Sequence, residues 1–235
     1  MTLILRANGK IANPRKGSLL APQIDVPGQV MRWVPASDHA DGEEVTTVLD
    51  QLGSKAGRFT AGSGAMALID GISGLKLNGT AALSSDSFAF PSRGQRTMAA
   101  LVHFGKIPNA TKQLIGSQAS GQSMVACIAF VGGPPAGRMV AYGDSAIWPT
   151  SQAVGAGWHR VIVAFDGAAG RAKICVDGNL VEGAVGWASQ GTSAFASIRS
   201  DDTVSLSFAD YVMLDHTATD EEIRTIDAAL SQWQS

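Results

Sequence analysis

The feature that most constrains this chain is a two-residue alternation running from Trp158 to Val181. Val161, Val163 and Phe165 fall on one side of an extended segment, and Arg160, Ile162 and Ala164 on the other. After Asp166-Gly167-Ala168-Ala169-Gly170 the pattern resumes: Ala172, Ile174 and Val176 share one side, and Arg171, Lys173 and Cys175 the other. Asp177-Gly178 then supplies the next tight turn. Side chains of a strand point alternately to its two faces, so this is the pattern of antiparallel strands with one face on a core.

Similar punctuation recurs along the chain. Runs at Ile72–Leu77, Ser87–Phe90, Thr97–Phe104, Gln113–Ser117, Met124–Val131, Arg138–Tyr142, His159–Asp166, Ala172–Asp177, Ala194–Arg199 and Val204–Leu214 read as short strands. Gly, Asn, Asp and Pro stand between them, and many short runs so bounded indicate a sandwich or barrel. The 27 glycines suit such a fold, because glycine readily adopts the positive φ values of hairpin turns. No βαβ alternation and no fixed-period repeat occurs, which removes the parallel-sheet classes. With 235 residues, 45% of them hydrophobic, the chain can fill one large core of this type.

One helix is predicted, at the C-terminus. Thr219 and Glu222 have capping-box spacing, Asp220 and Glu221 put negative charge at the positive end of the dipole, and Ile223, Ile226, Leu230 and Trp233 share a face. Glu43–Leu52 is ambiguous: Val45, Val48, Leu49 and Leu52 have helical spacing, but Val45-Thr46-Thr47-Val48 is β-branched throughout. Residues 1–30, with Pro14, Pro22 and Pro27, read as an extended arm serving as a docking segment or edge strand, and residues 31–235 as the domain.

A net charge of −2 with scattered basic residues excludes a nucleic-acid footprint. No apolar run approaches the roughly 20 residues that cross a bilayer, so no membrane insertion is expected. The start has no basic segment before its short apolar run and does not read as a secretory signal. Cys127 and Cys175 have no partner at metal-ligand spacing, and two buried free thiols are expected, with a bridge between them as the alternative.

The stretch Gly157-Trp158-His159-Arg160-Val161-Ile162-Val163-Ala164-Phe165-Asp166-Gly167, continuing to Val176-Asp177-Gly178, resembles laminin-G-like domains of the concanavalin A-like superfamily. Leu75-Lys76-Leu77-Asn78-Gly79 is similar to an early strand of that family. Tyr211-Val212-Met213-Leu214 followed by Thr219-Asp220-Glu221-Glu222-Ile223 is similar to its last strand and helix. The match spans about Arg32 to Leu230 and implies an all-β fold, a two-sheet antiparallel jelly-roll sandwich, with the short C-terminal helix. Ser207-Phe208-Ala209-Asp210 departs from the family's usual entry into the last strand, which withdraws support from its calcium-binding version. No cofactor and no metal are expected.

Catalytic patterns are missing. The five glutamates include no Glu-x-Asp-x-Glu strand, and no nucleophile elbow, phosphate loop or His-Glu-x-x-His helix occurs. His39, His103, His159 and His216 are scattered singly, and His159 reads as a strand residue supporting the hairpin. Asp201-Asp202 and Asp41 are candidate cation contacts, with turn solvation as the simpler reading of each. The ligand signal lies in loop aromatics. Tyr142 and Trp148 flank Asp144, and Trp187 lies in a Gly-Trp-Ala-Ser segment. Indole and phenol faces stack on sugar C–H groups while a carboxylate accepts hydroxyl hydrogen bonds, so Tyr142, Asp144, Trp148 and Trp187 are the candidate carbohydrate site. The alternative is that the tryptophans cover the sandwich ends.

The expectation from sequence is therefore a non-enzymatic surface protein of a bacteriophage virion (decoration, fibre or tail-associated). Its lectin-like domain would bind a cell-surface glycan or a protein, and the arm would hold it to other virion proteins, as a homo-oligomer. The alternatives are an extracellular carbohydrate-binding module and a polysaccharide-degrading enzyme with a nonstandard site.

The face assignment has a direct test. Val163→Asp places an unpaired charge in the expected core at a cost of several kcal/mol. The variant is expected to be insoluble or to lose cooperative melting, and a near-native melting midpoint would contradict the assignment.

Overall fold

Two Asp-Gly pairs set the hairpin geometry. Asp70 and Gly71 have φ of 48° and 84°, and Asp177 and Gly178 have 50° and 83°. Two consecutive left-handed residues make the two-residue turn whose twist matches that of paired strands. The computed structural model describes residues 21–53, 55–86, 88–89, 94–118, 124–143, 149–185 and 193–234.

In chain order, β1 (Gln29–Trp33) is followed by the short strands β2 (Glu44–Val45) and β3 (Thr47–Val48). A long hairpin follows, β4 (Gly57–Ile69) and β5 (Ile72–Ser85). Next come β6 (Phe88–Ala89), β7 (Gln95–Phe104), β8 (Lys112–Gln118), β9 (Met124–Phe130), β10 (Arg138–Tyr142) and β11 (Thr150–Ala153). The chain continues through β12 (Gly157–Asp166), β13 (Arg171–Val176), β14 (Asn179–Ala184), β15 (Ser193–Ser200) and β16 (Leu206–Leu214) to α1 (Asp220–Ser231).

The described strand pairings are all antiparallel, in the order β11-β10-β9-β8-β15-β5-β16-β7-β12-β13-β14. β5 sits in the middle of that order. Its first half pairs with β16 through Leu75 and Lys76, its second half with β15 through residues 81 to 84. The two halves thus belong to two layers, and the layers close face to face over one core. Val161, Val163 and Phe165 from one layer join Ile128, Phe130 and Ala141 from the other in a single cluster. Phe104 and Phe130 meet edge to face across it with ring centroids 4.9 Å apart.

The predicted alternation is observed. Val161, Val163 and Phe165 face the inter-layer core, while Ile162 and Ala164 lie in a second cluster under α1, with Ile223, Ile226, Leu230 and Trp233. The capping box is present: Thr219 Oγ1 accepts from the Glu222 amide, and the Thr219 amide donates to the Glu222 carboxylate at 2.8 Å. Cys127 and Cys175 are buried and free. They belong to separate clusters, Cys127 with Ala129 and Val140, and Cys175 with the residues beneath α1. Sheets stack about 10 Å apart, too far for a bridge between their outer faces.

Three segments gain detail that the sequence reading left open or lacked. Glu43–Leu52 forms β2 and β3 rather than a helix, and Leu49 and Leu52 are about half exposed (52% and 50%). The β-branched residues win because both strands pair with β4. β4 itself escaped notice because Gly, Ala and Ser dominate it, and its pairing with β5 supplies the order its composition lacks. In the expected arm, residues 21–28 bury Ile24 and Val26 against the cluster beneath α1, and β1 pairs with β16. Residues 1–20 lie outside the described residues.

β16 breaks the strand period once, and the break fixes the fold's seam. Phe208 pairs with Val102 and Asp210 with Leu101, so Ala209 is a bulge residue. Leu206 and Phe208 face the core before the bulge, Tyr211 and Met213 after it. Asp210 is left fully buried, with the Arg32 guanidinium donating to both carboxylate oxygens at 3.0 and 2.5 Å and Trp233 Nε1 donating at 3.2 Å. Arg32 also donates to the Pro22 carbonyl at 2.7 Å. Removing one partner of a buried pair strands the other charge, at about 3–5 kcal/mol. Asp210→Ala is therefore expected to lose about that much in urea melts. A change near zero would show that the pair contributes nothing to the seam.

Candidate functional site

Of the four expected sugar-binding residues, Tyr142 alone falls among the described residues. It ends β10, partly buried against the Cys127, Ala129 and Val140 cluster. Asp144, Trp148 and Trp187 lie outside the described residues.

His159 stands in β12 as expected, and the structure adds its partners. Nδ1 is 2.7 Å from Asp177 Oδ2 and Nε2 is 3.0 Å from the Gly155 carbonyl. Asp177 Oδ1 accepts the Arg160 amide at 2.9 Å. Burial acts to lower the His159 pKa, but the Asp177 bond and charge outweigh it and leave the imidazole raised above its ordinary value. Burial acts to raise the Asp177 pKa, and the His159 bond, the Arg160 amide and the His159 charge together leave it lowered. The two residues line a depression of about 220 Å³ with Ser151, Gln152 and Asn179. Both ring nitrogens are occupied, so the pair pins the hairpin turn to β12.

A larger cleft, of about 310 Å³, lies where the β4–β5 hairpin bends from one layer to the other. Lys76, Leu77, Asn78 and Gly79 of β5 form one wall, and Lys106, Asp201, Asp202, Val204 and Ser205 the rest. Gly79 has φ of 55°, and a Cβ there would stand 3.8 Å from Asp202 Oδ1. Asp201 is taken up by its own loop. Its Oδ1 accepts from Thr203 N at 2.7 Å, Thr203 Oγ1 at 2.5 Å and Val204 N at 3.1 Å, and its Oδ2 from Lys112 Nζ at 2.6 Å. Burial opposes ionisation, yet these donors hold its carboxyl at about 2. Asn78 Nδ2 donates to Ser63 Oγ at 3.4 Å, and Lys76, Lys106, Asp202, Ser205 and the Asn78 amide oxygen remain to meet a ligand: two ammonium groups, a carboxylate, a hydroxyl and an amide. Among the described residues no group of three or more His, Cys, Asp or Glu side chains could hold a metal ion.

Sequence reasoning missed this cleft. Lys76, Asn78 and Gly79 drew notice only as part of a strand resemblance, and Asp201 and Asp202 as candidate cation contacts or turn residues. No motif links positions 76–79 to 201–205; the crossing of β5 between layers does.

No family model matches the sequence, and no curated protein matches it. In fold the chain is similar to Trypanosoma rangeli sialidase in complex with sialic acid, with a TM-score of 0.62 and 16% identity over 89% of this chain and 34% of that one. It is also similar to the binding domain of botulinum neurotoxin DC in complex with SialylT (TM-score 0.60, 10% identity, 87% of this chain and 52% of that one). A botulinum neurotoxin type C structure, described as interacting with two ganglioside molecules, gives a TM-score of 0.61 and 11% identity over 86% and 51%. At these identities the likeness is one of fold. The chain spans about a third of the sialidase and half of the toxin structures.

These similarities bear out the β-sandwich part of the sequence reading. They correct the expectation of a chain with no enzymatic role, because sialidase is an enzyme and its structures match this fold over most of the chain. The expected phage virion role gains no support from them.

The His159–Asp177 pair gives a pH-dependent prediction. A raised His pKa adds stability that is complete below the unfolded value, about 6.5, and is lost as pH rises through the folded value. A lowered Asp pKa adds stability that is complete above about 3.9 and is lost as pH falls through the folded value. The pair is thus strongest between about pH 4 and 6.5. Asp177→Asn keeps a residue suited to positive φ and removes the charge. It is expected to cost about 1 kcal/mol near pH 5.5 and less at pH 8.5. Denaturant melts of both proteins across this range check it, and a difference independent of pH would refute the linkage.

Proposed function

We propose that this chain is a glycan-recognition module whose ligand occupies the cleft formed by residues 76–79, 106 and 201–205. The observation that carries this reading is the cleft's composition. Its lining side chains include an amide, a carboxylate, a hydroxyl and two ammonium groups, the mixture of donors and acceptors that pairs with sugar hydroxyls. Its volume of about 310 Å³ lies at the small end of ligand sites, which run from roughly 300 to 1,000 Å³. The described ligands of the proteins similar in fold, sialic acid and SialylT, support a sugar in particular. Fold does not fix function, so the site's own chemistry bears the weight. A module of this kind serves equally alone or as one part of a larger glycan-acting protein.

Recognition is tested by screening the full chain against an array of glycans and measuring the affinity of any that bind. Asn78→Ala with Asp202→Ala removes a donor and two acceptors from an exposed surface, so melting is expected to be unchanged. Each lost ligand hydrogen bond is worth about 1 kcal/mol, and the double variant is expected to bind roughly tenfold or more weakly. Binding that survives unchanged would move the site elsewhere on the domain.

A further inference from the structure

The geometry points to a cleft selective for sugars that carry a negative charge, a carboxylate or a sulfate, held between Lys76 and Lys106. This inference rests on the glycan-recognition reading and specifies its ligand class. In and beside the cleft stand Lys76, Lys106 and Lys112 against Asp201 and Asp202, a local excess of cations in a chain whose net charge is −2. Lys112 and Asp201 close on each other at 2.6 Å, and Asp201's other oxygen is filled by Thr203 and Val204. That leaves two ammonium groups and one carboxylate facing the ligand.

Among the described residues neither ammonium forms an ion pair. Lys76 is exposed. Among the described residues Lys106 Nζ reaches only the main-chain carbonyl of Asp202, at 3.5 Å, the outer limit of a hydrogen bond. A neutral sugar laid over these groups would strip water from an ammonium and return a hydroxyl dipole. An anionic sugar returns a charge-assisted bond, which is shorter and stronger. Asp202, Asn78 and Ser205 then remain for the hydroxyls next to the charged group.

The test uses the full chain and four probes measured by calorimetry. They are a sialylated oligosaccharide, its counterpart with the carboxylate reduced to an alcohol, a uronic acid oligomer and a sulfated oligosaccharide. At least one anionic probe is expected to bind about tenfold more tightly than the neutral counterpart, and added salt should narrow the gap. The sialylated and uronic probes together against the sulfated one separate carboxylate from sulfate recognition. Lys76→Gln and Lys106→Gln should each weaken the anionic probe about tenfold and the neutral one by less, so that the gap between the two probes closes. Both lysines are exposed, so melting curves should coincide with that of the parent protein. Equal affinity for charged and neutral probes, or lysine variants that bind as before, overturns the charge selectivity while the glycan reading stands. Absence of binding to every probe and to the wider array overturns both.

Discussion

A buried carboxylate holds the first and last described segments of this fold together. Asp210 has no exposure to solvent, and its bonds run to Arg32 of β1 and to Trp233 just beyond α1. Arg32 in turn holds Pro22. Chain segments separated by most of the sequence therefore converge on one side chain. Against an apolar replacement of the same shape such a pair gives little net stability, because two charges have left water. Its effect is on arrangement. Only a carboxylate at this depth satisfies a guanidinium and an indole N–H together, so β1, β16 and the C-terminus meet in one register.

The Ala209 bulge makes that carboxylate available. Without the extra residue, the period of two that faces Phe208 into the core would also face Asp210 there, among Val163, Phe165 and Met213. With it, the acid turns to the outer face and Tyr211 takes the core position. Sealing that face with α1 and residues 21–28 leaves the bend of the β4–β5 hairpin as an open edge of the sandwich.

Two left-handed glycines stand at the bend of the hairpin. Gly62 has φ of 64°, and a Cβ on it would stand 2.6 Å from the Thr80 carbonyl. Gly79 has φ of 55° at the mouth of the cleft. Register shifts between Phe59 and Ser63 let β4 follow β5 from one layer to the other. The same crossing sets Lys76 and Asn78 beside the Asp201 loop. The charge pattern of the cleft is thus a product of the topology that closes the core.

The sequence by itself determined the class of fold and its best-marked pieces. Alternation in Trp158–Val181, the Asp177-Gly178 turn and the Thr219–Glu222 capping box are local, set by residues within a few positions of one another, and each stands where expected. Tertiary structure decided whatever required distant partners. β4 is ordered by β5 and not by its own Gly- and Ala-rich composition. Arg96, one residue before an expected strand, is fully buried and donates to Ser117 Oγ, its pKa drawn down by burial to about 10. Asp210 reads in sequence as a departure from a family pattern, and its role appears only with Arg32 and Trp233 around it. The candidate cleft joins side chains more than a hundred positions apart, and no periodicity or spacing encodes such a meeting. Local propensity acts over a few residues, whereas a site at a bend between two layers exists only once both layers have closed.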